Sequence, residues 1–351
     1  MLSFKQQVFQ SIHIKDDDNM KKIGLFLLLI AFISGCGNTS NDEEPAGSNE
    51  SSETAEDSND EEESTKEEAM PFDAWLETVE VPYKEMILPN LDEMSTEEII
   101  THYRSELEVP EDWISVAYTD LITDETYHHN ETEEMTAAST TKVLLAMLYF
   151  DLVESEMLNM DTYIPYYDGG FEEGGGNITA DVVNGVGQNS YSLDYTIQEM
   201  IIRSDNTATN MLRRFYTDNF GPLGEGMRSV VPDSDYTAEM LEQNTTSAAL
   251  LEETLLALLA NDAYAPIIEH MRSADEDLYF KYYIEDDMPV KYGLLYELQH
   301  HTGIYEVDGN PAYSLVVMTK YLEQGQANEL MGGINLQLAV RAQYQDYLEN
   351  I

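Results

Sequence analysis

The chain has 351 residues, 42% of them hydrophobic, with 68 acidic against 17 basic side chains and a formal net charge of −51. That surplus excludes nucleic acid as a partner, because phosphate binding needs a basic patch, while the hydrophobic share excludes a wholly disordered polyanion. A single cysteine excludes any internal disulfide.

Residues 20–36 read MKKIGLFLLLIAFISGC: two lysines, an apolar stretch short for a spanning helix, then small residues ahead of Cys36. The segment resembles a bacterial lipoprotein signal peptide ending in a lipobox. The resemblance implies that residues 20–35 are removed and that Cys36 becomes a lipidated first residue. The protein would then sit on the extracytoplasmic face of the cell membrane, since two acyl chains anchor where one is marginal. Residues 1–19 are polar for a region ahead of a signal, so Met20 is the expected true start. Residues 36–70 lack aromatics and are dense in like charge, and they are expected to form an extended acidic tether.

From residue 71 the composition turns globular, and residues 71–351 are expected to form one domain. PFDAWLETVEVPYKEMI and STEEIITHYRSEL predict helical pieces, the second with Ser95 or Thr96 near its cap. DWISVAYTDLITDETYHHN predicts two strands joined by a turn at Thr123-Asp124-Glu125. Helices are expected over 141–155, 195–203, 206–216 and 246–260, interrupted by the glycine-rich DGGFEEGGGNI and FGPLGEG. Strands return in MPVKYGLLYEL, HHTGIYEVDG and AYSLVVMTKYL, and LQLAVRAQYQDYLENI closes the chain as a helix. The early strands have no neighbours except the late ones. The expected fold class is therefore α+β: a five-stranded antiparallel sheet flanked by helices, with a helical subdomain inserted between its halves.

AASTTKVLLAML places Lys142 three residues after Ser139, at the mouth of an apolar helix. A cation is disfavoured in a first helical turn. One reading is that burial and the dipole lower its pKa, so that the neutral amine serves as a base toward the Ser139 hydroxyl one turn away. The other is that Ser139 or Thr140 caps the helix and Lys142 snorkels to water.

Two further stretches follow in order, Ser204-Asp205-Asn206 opening a predicted helix and Lys291-Tyr292-Gly293 in a predicted strand. Together the three resemble the S-x-x-K, S-D-N and K-T-G signature of class A β-lactamases and penicillin-binding proteins. The surrounding stretches over about residues 110–322 resemble that family as well. The resemblance implies a β-lactamase/transpeptidase-like fold. Ser139 would form an acyl-enzyme with a β-lactam or D-alanyl amide, and Lys142 would take or relay its proton. Ser204, helped by Lys291, would pass a proton to the leaving nitrogen, and Asn206 would hold the acyl-side amide. The backbone N–H groups of Ser139 and Leu294 would form an oxyanion hole.

The sequence departs from that pattern twice. Tyr292 stands where the third motif has threonine, so the substrate carboxylate would meet a larger side chain; Thr302, His300 and His301 on the next strand are other possible donors, and at least one of the histidines is expected at the surface. The compressed stretch VVPDSDYTAEMLEQNTTS offers no evident deacylating carboxylate. Between Asn206 and Thr245 the candidates are Glu225, Glu239 and Glu242, with Asn244 nearby, and Glu242 is the first choice.

The expected activity is that of a lipid-anchored serine hydrolase acting on a β-lactam or D-alanyl peptide. It would need no cofactor and no metal, and a monomer is expected. The alternatives are a D,D-peptidase of the cell wall and a non-catalytic surface lipoprotein that binds wall peptide or β-lactams. For the anchor, Cys36→Ser should abolish incorporation of radiolabelled fatty acid and move the protein from the membrane to the soluble fraction. Unchanged labelling would overturn the lipobox reading.

Overall fold

The computed structural model describes residues 69–274, 277–284 and 288–351. The signal-like segment, Cys36 and the tether up to residue 68 lie outside the described residues. In chain order the elements are α1 (Phe72–Leu76), α2 (Thr96–Glu106), β1 (Ile114–Asp120), β2 (Thr126–His129), β3 (Met135–Thr136) and α3 (Lys142–Glu154). Then come β4 (Tyr163–Pro165), α4 (Asn177–Val183), β5 (Ser190–Ser192), α5 (Leu193–Ile202), α6 (Asn206–Asn219) and α7 (Leu223–Val230). The chain closes with α8 (Ala238–Glu242), β6 (Thr245–Thr246), α9 (Ala248–Leu259), α10 (Ala265–Arg272), β7 (Val290–Leu295), β8 (Leu298–Val307), β9 (Asn310–Thr319) and α11 (Gln324–Glu349).

The main sheet has five antiparallel strands in the order β2-β1-β9-β8-β7. The N-terminal hairpin thus joins the C-terminal strands through the β1–β9 pair, with Ala117 opposite Val316 and Tyr118 opposite Leu315. Side chains alternate across a strand, and here the alternation divides two cores. Ala117, Val316 and Met318 face the helical body, whose centre is α3. Val116, Tyr118, Leu315 and Val317 face α11, α1 and α2. Sheet and helices are buried on both sides of the sheet, which is why β9 is apolar almost throughout.

Several boundaries follow from local chemistry. Ser95 opens α2 with a reciprocal capping box: the Glu98 N–H donates to Ser95 Oγ at 3.2 Å, and the Ser95 N–H donates to Glu98 Oε2 at 2.8 Å. Asp124, in the turn predicted between β1 and β2, adopts a left-handed φ of 61°. The glycine-rich FGPLGEG interrupts helical structure at residues 220–222, as expected, but its last four residues already belong to α7, because tertiary packing of Leu223 and Met227 outweighs the modest helix penalty of glycine. Likewise α11 begins twelve residues before the predicted 336–351 stretch, running through Gly332 and Gly333. Among the described residues, no helix is long and apolar enough to cross a membrane.

α11 also carries buried polar side chains that fasten the N-terminal segment. Gln337, fully buried, donates from Nε2 to Met86 O at 3.0 Å and to the Tyr103 hydroxyl at 2.9 Å, and its Oε1 accepts the Leu88 N–H at 2.9 Å. Arg341 donates to Met94 O at 3.0 Å and to Thr96 Oγ1 at 2.6 Å. Removing one partner of a buried hydrogen bond strands the other. Gln337→Leu is therefore expected to lower unfolding free energy by about 1–3 kcal/mol, read by urea denaturation, and unchanged stability would show that water satisfies the freed groups.

Candidate active site

The turn over residues 137–141 delivers Ser139 to the surface ahead of α3. Ala138 takes a left-handed φ of 51°, a costly conformation for a residue with a Cβ. The turn is held from two sides. From the 243–245 segment, the Asn244 O accepts the Ala137 N–H at 2.8 Å, Asn244 Nδ2 donates to Ala138 O at 2.9 Å, and Asn244 Oδ1 accepts from the Thr141 hydroxyl at 2.8 Å. From the sheet edge, Gly293 lies so close that a Cβ there would stand 2.7 Å from Ala137 O. The third motif therefore needs glycine at 293 because the turn that carries Ser139 rests on it.

Lys142 is the first residue of α3 and is only 5% exposed. Its ammonium donates to Ser204 O at 2.7 Å, to Asn206 Oδ1 at 2.8 Å and to Ser204 Oγ at 3.1 Å. Three donors meet three acceptors, and none of these bonds goes to Ser139 Oγ. The expected direct contact between the amine and the Ser139 hydroxyl is thus absent in this resting arrangement. The reason is geometric: residues 138–141 form a turn, not an α-helical one, and the second motif offers a complete set of acceptors. Neither cap reading holds, since Thr140 Oγ1 donates to Ala137 O at 2.8 Å and Thr141, the N-cap, makes no side-chain cap bond. Nor does Lys142 snorkel to water. Burial, and then the nearby Lys291 ammonium, push its pKa well below the ordinary lysine value, against the opposing pull of Asp205 and Glu172.

Ser204 is buried and takes a left-handed φ of 54°. Asp205 caps α6 through Oδ1, which accepts the Ala208 N–H at 2.9 Å, and it also accepts the Thr179 N–H at 2.9 Å and the Thr179 hydroxyl at 2.8 Å. The glycine run before α4 lies flat against this motif. A Cβ on Gly176, whose φ is 97°, would meet Asp205 Oδ2 at 2.2 Å. The run that sequence reading treats as an interruption is a close-packed cover over the second motif.

Ser139, Lys142, Asn206 and Leu294 line one cleft of about 250 Å³. Leu145 of α3, Asn210 and Arg213 of α6, Met227 of α7, Asn244 and Glu172 also line it. Lys291 is fully buried on β7, in register with Thr302, its ammonium 4.1 Å from the Tyr292 ring centroid. Tyr292 does not line the cleft; it is partly buried against the α11-side core, with its ring against the Lys291 ammonium.

The remaining predicted residues are placed elsewhere. Glu242 does not reach the cleft: its Oε1 accepts the Gly224 N–H at 2.7 Å, capping α7, whose N-cap Pro222 has no side-chain acceptor. Glu225 and Glu239 are exposed, and Glu239 accepts a bond from Gln243. His300 and His301 are both fully buried, correcting the expectation that one lies at the surface, because β8 is an interior strand. The Thr319 N–H donates to His300 Nδ1 at 3.2 Å, so Nε2 carries the proton toward Thr136 O at 3.0 Å, and burial lowers the pKa to about 4. His300 is thus a neutral structural link, and Thr302 Oγ1 is buried away from the cleft. Among the described residues, no group of three or more His, Cys, Asp or Glu side chains could hold a metal. Sequence reading missed Glu172, whose charge gave no signal in so acidic a chain, and Arg213 of α6.

The family model described as the beta-lactamase enzyme family matches residues 103–340, a span that includes all three motifs. The chain belongs to that family. No curated protein matches it at the sequence level. The fold is similar to a beta-lactamase from Sphaerobacter thermophilus (TM-score 0.58, 16% identity, covering 70% of this chain and 95% of that one). It is similar to an ancestral class A beta-lactamase (TM-score 0.56, 18% identity, 68% and 98%). It is also similar to a variant of PBP-A solved as an acyl-enzyme complex with penicillin G (TM-score 0.57, 16% identity, 75% and 100%). Family and fold together support a serine hydrolase-like enzyme.

The depressed pKa of Lys142 has a signed consequence. Between that lowered value and the ordinary 10.5, the unfolded chain binds more protons than the folded one, so this group makes stability rise with pH. The stability difference between wild type and Lys142→Met should be flat at low pH and climb through that window, as read by urea denaturation across a pH series. No climb would return the amine to its ordinary titration.

Proposed function

We propose that the protein is a serine acyl-hydrolase that forms an acyl-enzyme on Ser139 with β-lactams or related D-alanyl amides. The observation that carries this reading is the buried Lys142 amine, held by Ser204 and Asn206 beside a second buried amine, at the cleft that Ser139 lines. A depressed pKa makes the neutral amine available more readily than in an ordinary lysine. In that form it has two donors and one lone pair, and Ser204 Oγ at 3.1 Å becomes a donor to it. The Lys142–Ser204 contact gives half of a proton path from Ser139 to the leaving nitrogen, and the other half forms when the Ser139 hydroxyl turns to the amine in the substrate complex.

In the reaction so assigned, Ser139 Oγ attacks the carbonyl carbon as its proton passes to Lys142. The oxyanion is held by the N–H groups of Ser139 and Leu294, the latter on an edge strand whose outer row of backbone groups is not used by the sheet. Collapse breaks the C–N bond, and Ser204 protonates the nitrogen and recovers a proton from Lys142. Lys291 contributes positive charge beside Ser204 and the substrate. Asn206 already uses its amide to accept from Lys142 and to donate to Glu173 O at 3.0 Å, and it faces the cleft where an acyl-side amide would lie. The lipobox reading would set this chemistry outside the membrane.

A fluorescent penicillin tests the proposal. Wild-type protein should take a covalent label that survives denaturing electrophoresis. Ser139→Ala should take none, and Lys142→Ala should label about 10²–10⁴-fold more slowly. Label that persists in Ser139→Ala would falsify the nucleophile assignment, and no label on correctly folded wild type would favour the binding-only lipoprotein.

A further inference from the structure

We infer that Glu172 is the carboxylate that activates water to release the acyl group from Ser139; this rests on the acyl-enzyme proposed above. Hydrolysis of that ester needs a base that takes a proton from water as its oxygen attacks the carbonyl. The glutamates of the 220–244 segment do not supply one, since Glu242 caps α7 and neither Glu225 nor Glu239 lines the cleft. Among the described residues lining the cleft, Glu172 is the one carboxylate. It comes from the loop between β4 and α4, not from the segment between α7 and α9 where the family resemblance directs the search.

Its position is built. The Glu172 N–H donates to Thr207 Oγ1 at 3.3 Å, and Thr207 lies in the first turn of α6. Asn206 Nδ2 holds the next carbonyl, Glu173 O, at 3.0 Å. One turn along α6, Asn210 Nδ2 donates to Glu172 Oε2 at 2.9 Å and to Gly170 O at 3.4 Å. Asn206 of the second motif and the α6 residues Thr207 and Asn210 therefore fix this loop, and one carboxylate oxygen is tied to Asn210 while the other is left to accept from water. Glu172 also lies close enough to Lys142 to act on its amine. The hydrolytic step balances within the site. Water oxygen adds to the ester carbon while its proton passes to Glu172. The tetrahedral intermediate collapses with cleavage of the C–Oγ bond, and the proton held by Glu172 passes to Ser139 Oγ.

The test follows the covalent label through a chase. Protein is saturated with fluorescent penicillin, excess unlabelled penicillin is added, and the label is followed with time for wild type, E172Q, E172D and E172A. Wild type should lose its label. E172Q should acquire label and release it about 10²–10⁴-fold more slowly, E172D should be intermediate, and added formate should restore part of the release in E172A. Formate rescue reports a missing base, which a purely structural clamp would not show. Release from E172Q at the wild-type rate, or a wild-type label as persistent as that of E172Q, overturns the role of Glu172 and leaves the acyl-enzyme standing. An E172Q protein with an unchanged melting temperature that takes no label moves Glu172 to substrate binding and also overturns it. If wild type itself takes no label, the acyl-enzyme reading falls, and this one with it.

Discussion

The arrangement depends on one buried ammonium. Lys142 sits at the start of an apolar helix, where burial and the helix dipole both oppose its charge. It is accommodated because a second element, the turn at Ser204, supplies a carbonyl, a hydroxyl and a side-chain amide to its three donors. That match ties α3 to α6 across the helical body. It also leaves the amine short of full stabilisation, because Lys291 stands near it. A lysine held in this way is poised to lose a proton, and the same contacts that seat it hold the hydroxyl through which a proton could move.

Around that amine the backbone takes unusual conformations. Ala138, Ser204 and Asn244 all adopt positive φ, and all three lie in the turns that meet at the cleft. Each costs stability, and each is held in place by neighbours: Ala138 by Asn244 and Gly293, Ser204 by the lysine, and Asp205 beside it by Thr179. Strain of this kind persists only where the surrounding structure over-determines it. The two cores on either side of the sheet provide that rigidity, with α11 and its buried Gln337 and Arg341 fastening the outer layer.

The negative charge of the chain made the cleft hard to read. With 68 acidic residues, any glutamate is most simply a solvated charge, and the segment in the place of the family's loop offers Glu242. The structure uses Glu242 to satisfy the Gly224 N–H in the first turn of α7, a task with no sequence signature because the two lie in separate elements. Glu172 has no local signature, because it sits in a glycine-rich stretch that predicts no regular structure. Those glycines are what let the loop press against Asp205, Asn206 and Arg203, and so carry Glu172 to the site.

What the sequence by itself determined is the order and type of the elements around the motifs: alternating strands, apolar helices, and three short signatures in succession. Period-two and helical patterns are local, and each motif's residues are neighbours in the chain, so the α+β class, the five strands and the family could be read directly. Tertiary structure alone decided which acceptors the lysine uses, which way Tyr292 packs, that both His300 and His301 are buried, and which carboxylate lines the cleft. Those outcomes rest on contacts between residues far apart along the chain. A side chain's partner there is chosen by packing and by the need to satisfy every buried polar group, and neither constraint is visible until the chain has closed on itself.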